Sequence, residues 1–286
     1  MWLEKIRTYG RLIKFSHTIF ALPFALAAVL LANREYPVTV TALFLILLAM
    51  ASARSAAMGF NRFADFEYDR LNPRTAFRPN ITGQVDRTSV LFFTIASAVL
   101  FVTCAALLGR ICFILSIPVL GVLFFYSLTK RFTSLSHLVL GFAIGLAPVG
   151  AWVAVAGTLD VRVLLLSLAL MTYIAGFDIL YACQDIDFDR RQKLFSIPAC
   201  WGANRALSVS MSLHVLTFLC LLLVYFAFDL GRMYLVFFVL ISILLFVEHR
   251  IVRPDSLEHV NIAFFHVNSA ISILLFLGVL AGTWAV

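Results

Sequence analysis

Long apolar stretches, separated by short polar segments, run from one end of the chain to the other. Stretches of about 18 residues or more are long enough to cross a hydrocarbon core of about 30 Å as a helix. A spanning segment must satisfy its backbone polar groups internally, so we expect helices. The pattern predicts nine spans, at Ser16–Leu31, Val38–Phe60, Ser89–Leu108, Ile111–Leu128, Leu135–Ala156, Val163–Cys183, Ala206–Phe228, Met233–Val247 and Val260–Trp284.

The composition agrees with this hydropathy pattern. Of the 286 residues, 62% are hydrophobic and 13% are charged, whereas a soluble globular chain is about half apolar and about a quarter charged. The sequence therefore predicts an all-α, polytopic integral membrane protein, with a single transmembrane domain over residues 1–286. The five cysteines have no paired spacing such as CxxC, so we expect neither a structural zinc site nor a disulfide framework.

Basic residues concentrate in one of the two alternating sets of loops. Lys and Arg near the ends of spans mark the cytoplasmic side of a membrane protein. Of the 22 Lys and Arg residues, all but five lie in the set that starts at the N-terminus and ends with Arg250 and Arg253. The five exceptions are Arg34, Arg110, Arg162 and Arg232 in the opposite loops and Arg54 within the second span. We therefore predict a cytoplasmic N-terminus and an outer C-terminus, and the net charge of +7 needs no nucleic-acid partner.

Two cytoplasmic loops, Asn61–Thr88 and Gln184–Arg205, are long and polar, whereas the outer loops are very short. Long loops in a compact domain are usually functional or disordered. Both loops begin with aspartates, so we expect the chemistry of the protein at this face.

Acidic residues cluster at the start of these two loops. Seven of the fifteen acidic residues fall in two short stretches, at the cytoplasmic ends of the second and sixth spans. Residues four or seven apart share one face of a helix. One predicted stripe holds Arg54, Asn61, Asp65 and Asp69, and the other holds Asp178, Asp185 and Asp189. The shared cadence indicates a weak internal repeat.

Such an array of oxygen ligands suits Mg²⁺, which usually combines one or two carboxylates with water and substrate phosphate oxygens. Nearby basic residues are suited to the remaining phosphate oxygens. These are Arg74, Arg78, Lys130 and Arg131. A diphosphate neutralised in this way becomes a good leaving group.

Asp178 and Arg54 lie deeper than the other members of their stripes, within apolar spans. A charge at the bilayer centre costs roughly 2.5–3.5 kcal/mol on insertion scales, and an ionisable residue there is by default functional. Arg54 can also reach toward the interface through its long side chain.

With these residues the sequence resembles the UbiA superfamily of intramembrane prenyltransferases. The NxxxDxxxD pattern of that family is met by Asn61, Asp65 and Asp69, and its second motif by Asp178, Tyr181-Ala182, Asp185 and Asp189. The segment from Tyr126 to Lys130 and Arg131 is similar to the basic loop of the family. Three further segments, 15–25, 146–152 and 177–182, are most similar to a bacterial branch of 4-hydroxybenzoate and 1,4-dihydroxy-6-naphthoate polyprenyltransferases, and of these two acceptors we favour the naphthoate.

The resemblance implies a nine-helix bundle with a central cavity in the bacterial inner membrane, and an active site that faces the cytoplasm. It implies that two Mg²⁺ ions bridge the diphosphate of a polyprenyl diphosphate. The implied metal ligands are Asn61, Asp65, Asp69, Asp185 and Asp189. The implied diphosphate contacts are Arg74, Arg78, Lys130 and Arg131. Departure of the diphosphate gives an allylic cation, which needs a pocket free of water and can be stabilised by aromatic faces.

The second substrate is then an aromatic hydroxy acid, whose ring carbon attacks the cation. Arg54 is the candidate for its carboxylate and Asp178 for its hydroxyl, while His17 and His137 are further candidate contacts. Together with Asp65 and Asp185, Arg54 and Asp178 form the predicted catalytic set. Membrane lipid is the remaining expected partner.

Three alternatives stay open from the sequence. A transporter also fits nine spans, and Pro23, Pro118 and Pro148 could break helices as transporters require. A CDP-alcohol phosphotransferase uses membrane aspartates too, but its Asp-Gly pair does not occur here. The third alternative keeps the family and changes the acceptor to haem or a chlorin.

Overall fold

A computed structural model of the chain describes residues 2–252 and 263–284, and within these ranges the regular elements are helices and no strand occurs. The α-helices are α1 (Trp2–Leu12), α2 (Leu22–Asn33), α3 (Val40–Ala64), α4 (Phe66–Leu71), α5 (Arg87–Leu108), α6 (Arg110–Thr129), α7 (Ser136–Ala156), α8 (Val163–Ala182), α9 (Ile186–Arg191), α10 (Ile197–Trp201), α11 (Ala203–Ala227), α12 (Met233–Ile251) and α13 (Asn268–Trp284). Short 3₁₀ segments occupy Phe15–Phe20 and Cys183–Asp185, and a π-helical turn occupies Ala263–Val267.

The predicted spans are confirmed. In the described ranges, nine helices are long and apolar enough to cross a membrane. They are Phe15–Asn33, Val40–Ala64, Arg87–Leu108, Arg110–Thr129, Ser136–Ala156, Val163–Arg191, Ala203–Ala227, Met233–Ile251 and Phe265–Trp284. Arg253 and the predicted start of the ninth span at Val260 lie outside the described residues.

The packing divides the chain into two compact units. The first unit comprises Met1–Thr18 and Val40–Leu128, and the second comprises Ile19–Thr39 and Thr129–Val286. The single domain over residues 1–286 stays a prediction. Each unit carries one of the two aspartate motifs.

In the first unit, α3 packs closely against α5. Gly59 permits this approach, because a side chain there would collide with the hydroxyl of Thr94. Asp86 caps the N-terminus of α5 through its side chain, which accepts a hydrogen bond from the Ser89 backbone N–H at 2.7 Å. A hydrogen bond from the Ser89 hydroxyl, together with this backbone bond, holds the pKa of Asp86 below its usual value. The close helix pair fixes the end of α3, where the first motif begins.

In the second unit, α8 is the most buried of the spans and packs against α7 and α11. Gly141 of α7 faces the Met171 carbonyl and Ala175 of α8, and Gly145 lies one turn further along the same contact. Helix backbones in membranes approach closely where small residues line the interface. The contact therefore sets both the distance and the rotation of α7 against α8.

A buried polar network joins four helices of the second unit. Tyr173 on α8 donates its hydroxyl hydrogen to the backbone carbonyl of Asn268, and the Asn268 Nδ2 donates to Oε1 of Glu248 at 2.9 Å. His214 Nδ1 lies 2.9 Å from His249 Nε2 and 3.6 Å from Oε2 of Glu248. Because a buried polar group without a partner is costly, these contacts hold α8, α11, α12 and α13 in register.

The spans expose many large apolar side chains, among them Phe92, Val99, Phe113, Ile117 and Phe246. In water, such a surface would drive association. For helices in a bilayer it is the face that contacts lipid.

Candidate active site

The first motif lies where α3 gives way to the one-and-a-half-turn helix α4. Asp65 interrupts the helix with φ −93° and ψ 13°. The helical hydrogen-bond pattern continues across it, since the Asp65 N–H donates to the Asn61 carbonyl at 2.9 Å and the Asp69 N–H to the Asp65 carbonyl at 2.8 Å. The predicted stripe of three polar side chains is therefore preserved through the interruption.

Asn61 contacts Asp65 and an arginine, and Asp69 contacts two arginines. Asn61 Nδ2 donates to Oδ2 of Asp65 at 2.7 Å, and the Asn61 Oδ1 accepts from Nη1 of Arg62 at the same distance. Asp69, which is buried, forms an ion pair with Arg78, and Nη1 of Arg62 lies 3.8 Å from its Oδ2. The structure thus brings Arg78, a predicted diphosphate contact, directly to a predicted metal ligand.

Arg62 is a residue of this site that the sequence reading missed. Its side chain is only 3% exposed, and its Nε donates to the Leu12 carbonyl at 3.1 Å. The charge pattern assigned it to the cytoplasmic set of basic residues and nothing more. Its position next to Asn61 is no local signal, because residues next to each other on a helix do not share a face.

The cationic side chains around the motif outnumber its two carboxylates. Burial lowers the pKa of Lys14 to about 7, and the charges of Arg78, Arg62, Arg74 and Arg54, in decreasing order, contribute to that shift. A cluster of like charges that helps to lower the pKa of a lysine is suited to binding a polyanion, whose negative charge would relieve the repulsion. Lys14 is a second site residue that the charge pattern alone did not reveal.

Arg54 and His17 lie deeper in the same cationic region. Arg54 Nη2 donates to the Lys14 carbonyl at 3.3 Å, while its buried Nε makes no hydrogen bond within the described part of the chain. The backbone N–H of His17 donates to the same Lys14 carbonyl at 2.9 Å. The sequence placed both residues in an acceptor site, and the structure brings them to one backbone carbonyl.

The loop after α4 folds back over the motif. Thr75 donates its hydroxyl hydrogen to the Asp69 carbonyl at 2.8 Å, and the Arg74 N–H donates to Oδ1 of Asn72 at 2.9 Å. This turn brings the loop past the end of α4, so that Arg78 reaches Asp69.

The second motif repeats the interruption of the first. After α8, a short 3₁₀ turn leads to Asp185, with φ −104° and ψ 7°, and the six-residue helix α9 follows. These angles are close to those of Asp65, and α4 has the same length as α9. The predicted stripe of Asp178, Asp185 and Asp189 uses α-helical spacing, and the 3₁₀ turn Cys183–Asp185 tightens the chain within it. The internal repeat therefore extends from residue spacing to backbone geometry.

Asp189 is buried and held by groups on two sides. Ser196 donates its hydroxyl hydrogen to Oδ2 of Asp189 at 2.8 Å, and Lys130 Nζ lies 3.7 Å from the same oxygen. The Lys130 carbonyl accepts from the Phe195 N–H at 2.7 Å, which anchors the basic segment to this loop. Lys130, a predicted diphosphate contact, is thus placed at a predicted metal ligand, whereas Arg131 beside it is exposed.

Asp178 pairs with His137 deeper in the second unit. Oδ2 of Asp178 lies 2.7 Å from Nδ1 of His137. The sequence placed each residue separately near the acceptor, and the structure brings these two together.

The donor sets fit a hard divalent cation that shares its ligands with a substrate. Within residues 2–252 and 263–284, no three His, Cys, Asp or Glu side chains are grouped so that they alone could hold a metal ion. Each motif instead offers two aspartates, Asp65 with Asp69 and Asp185 with Asp189. One or two carboxylates are what Mg²⁺ takes from a protein when phosphate oxygens and water supply its other ligands.

Comparison with known proteins identifies similar sequences. The sequence model described as the UbiA prenyltransferase family matches residues 21–270. A protein of Photobacterium profundum named 4-hydroxybenzoate octaprenyltransferase is 28% identical over 281 residues, which cover 97% of this chain and 96% of the relative. A protein of the same name from Actinobacillus pleuropneumoniae is 32% identical over 193 residues, which cover 66% of this chain and 65% of that relative.

Solved structures of similar fold cover nearly the whole chain. The apo structure of a UbiA homolog from Aeropyrum pernix K1 has a TM-score of 0.84 and 33% sequence identity, and it covers 93% of this chain and 98% of its own. A UbiA homolog from Archaeoglobus fulgidus, solved with GPP and Mg²⁺, has a TM-score of 0.69 at 19% identity, with coverage of 96% and 99%. The second likeness concerns the fold alone.

Proposed function

Because this chain belongs to the UbiA prenyltransferase family, we propose that it transfers a polyprenyl group from polyprenyl diphosphate to a ring carbon of a hydroxylated aromatic acid in quinone biosynthesis. In this reaction the bond between the allylic carbon and the diphosphate oxygen breaks, a carbon–carbon bond to the ring forms, and the ring carbon loses a proton. Diphosphate leaves as the second product.

The observation that carries this proposal is the repeated aspartate interruption in a cationic setting. Asp69 is held by Arg78, and Asp189 by Lys130 and Ser196. We assign both motifs to the diphosphate of the donor substrate. Asn61, Asp65, Asp69, Asp185 and Asp189 would hold Mg²⁺, which when bound neutralises the diphosphate and makes it a better leaving group.

The basic side chains have two tasks in this proposal. Arg78 and Lys130 hold carboxylates in place, and they also face the negative charge that accumulates as the diphosphate leaves. Lys14, Arg62 and Arg74 add to the same field. We include Arg131 with them because it directly follows Lys130.

The acceptor is the aromatic acid. Arg54, whose buried Nε makes no hydrogen bond among the described residues, is assigned to the acceptor carboxylate, with His17 beside it. Asp178 is assigned to the hydroxyl. The relatives at 28% and 32% identity are named for 4-hydroxybenzoate, and we therefore place this acid ahead of 1,4-dihydroxy-6-naphthoate, which the sequence alone had favoured.

We also propose an orientation in the bacterial inner membrane. The excess of Lys and Arg in one set of loops supports a cytoplasmic N-terminus. Both motifs lie where a span runs into a loop of this same set, and therefore on the cytoplasmic side in this orientation. The donor diphosphate then approaches from the cytoplasm, while its apolar chain remains in the lipid.

The test is prenyl transfer by the purified protein in detergent, with Mg²⁺ or EDTA, and with both acids offered together. We expect product that depends on the metal ion, with 4-hydroxybenzoate preferred. Asp185→Asn should abolish transfer, whereas Asp187→Asn, at an exposed position two residues away, should leave it intact. Equal activity of these two variants would contradict the assignment of the second motif. Failure of the folded wild-type protein to use either acid would overturn the proposed acceptor class.

A further inference from the structure

His137 and Asp178 form a pair whose two members have different surroundings. The His137 side chain is 0% exposed, whereas that of Asp178 is 24% exposed. The imidazole is therefore fully enclosed by protein, whereas the carboxylate-bearing side chain is partly accessible.

The packing of α7 on α8 fixes this pair. His137 lies one turn before Gly141, and Asp178 lies three residues after Ala175. A side chain at Gly141 would collide with the Met171 carbonyl and touch Ala175, so the two backbones are in close contact at this level. The imidazole consequently has little room to turn away from the carboxylate.

The hydrogen bond defines which nitrogen of His137 carries the proton. Nε2 is buried and has no hydrogen-bond partner in the described part of the chain. A proton on Nε2 would leave a buried N–H donor without a partner, which is costly. A proton on Nδ1 satisfies the contact with the carboxylate, and Nδ1–H donates to Oδ2 of Asp178.

The second oxygen of Asp178 is thereby made available. Within residues 2–252 and 263–284, the Asp178 side chain makes its polar contact with His137. With Oδ2 occupied by an N–H, the carboxylate is held as an acceptor, and Oδ1 is directed by the same bond. A carboxylate oxygen in this state forms a strong, short hydrogen bond with a hydroxyl.

We propose that His137 is a positioning residue that presents Asp178 to the hydroxyl of the aromatic acceptor, and so makes the enzyme selective for hydroxylated over unhydroxylated acids. The inference rests on the proposed function. The hydroxyl donates to Oδ1 and keeps its proton, and the carboxylate increases the electron density of the ring that attacks the allylic carbon. His137 acts through Asp178 and does not touch the substrate.

The experiment measures how strongly the protein prefers 4-hydroxybenzoate over benzoate, which lacks the hydroxyl. Binding of both acids is determined in detergent with Mg²⁺ and an unreactive thio-analogue of the prenyl diphosphate. His137→Phe keeps a planar ring without a donor, and we expect the preference to fall about 10- to 100-fold, as for loss of a charge-assisted hydrogen bond. His137→Asn, which retains a donor, should restore most of it. Affinity for the thio-analogue should be unchanged in both.

The control is Ser136→Ala, which alters a neighbouring buried side chain whose hydroxyl makes no hydrogen bond within the described residues. It should keep the wild-type preference. An unchanged preference in folded His137→Phe, or an equal loss of affinity for both acids and the thio-analogue, would overturn the positioning role. If His137→Phe does not fold, His137→Leu replaces it. A wild-type protein that binds neither acid contradicts the proposed function, whereas one that binds both acids equally contradicts this inference.

Discussion

The depressed pKa of Lys14 has a measurable consequence for the binding of the donor substrate. In the protein without substrate this pKa is about 7, compared with 10.5 for an ordinary lysine. A diphosphate bound among the surrounding arginines would restore the charged form and raise the pKa again. Binding is then coupled to uptake of a proton, so affinity should decrease as the pH rises above about 7.

The size of this effect follows from the two protonation equilibria. Lys14 is about half protonated at pH 7 and about 1% protonated at pH 9 when no substrate is bound. If the bound state has a pKa between roughly 9 and 10.5, affinity falls about 25- to 50-fold over these two pH units. A phosphoryl group loses its last proton near pH 6, so the ligand itself changes little in this range. The pH dependence of folding stability has the opposite sign to that of binding. Because the unfolded chain binds the Lys14 proton more tightly than the folded protein does, stability rises between about pH 7 and 10.5.

The assay is calorimetric or competitive binding of a prenyl thiodiphosphate to the purified protein at constant Mg²⁺ between about pH 7 and 9. Lys14→Met should bind weakly with almost no pH dependence. Lys14→Arg, whose side chain stays protonated, should bind tightly across the range. Lys5→Met removes an exposed charge from α1 and should retain the full slope. A wild-type protein without this slope, or a Lys14→Met variant that keeps it, would refute the reasoning.

Further predictions concern packing and buried polar groups, and each can be checked by the melting temperature in detergent together with enzyme activity. Gly141→Ala should destabilise the protein by about 1–3 kcal/mol because it overpacks the α7–α8 contact, whereas Gly150→Ala, where a side chain meets open space, should be neutral. Glu248→Leu should cost about 1–3 kcal/mol, since it removes the buried acceptor of the hydrogen bond from Asn268 Nδ2, and Glu248→Gln should cost less. Arg62→Leu should lower the melting temperature, because the buried Asp69 loses one of its two cationic neighbours. It should also lower the affinity for the prenyl diphosphate at least tenfold.

Much of the fold could be predicted because lipid imposes a simple requirement on each span. A run of apolar residues long enough to cross the bilayer must be a helix, and this rule alone places all nine spans. The aspartate motifs could also be predicted, since acidic residues at helical spacing are rare in so apolar a chain. Their ligand roles remain predictions that mutagenesis has to test.

The features that could not be predicted from the sequence depend on contacts between residues far apart in the chain. Nothing local marks Arg62 or Lys14 as different from other basic residues at the cytoplasmic ends of spans. The His137–Asp178 pair joins positions 41 residues apart, and predicting it requires knowing which face of α7 meets α8, which Gly141 decides. The 3₁₀ turn Cys183–Asp185 contains neither Gly nor Pro, so no residue in it indicates a departure from the α-helix.

The distribution of thiols has a practical use for studies in vesicles. Cys200 is exposed on α10, in the loop that follows the second motif, while Cys104, Cys183 and Cys220 are buried and Cys112 lies partly buried in α6. A charged maleimide that cannot cross the bilayer should therefore modify Cys200 selectively. The native chain thus carries its own marker of sidedness: inverted vesicles should react rapidly and right-side-out vesicles slowly if the N-terminus is cytoplasmic, without a single engineered cysteine.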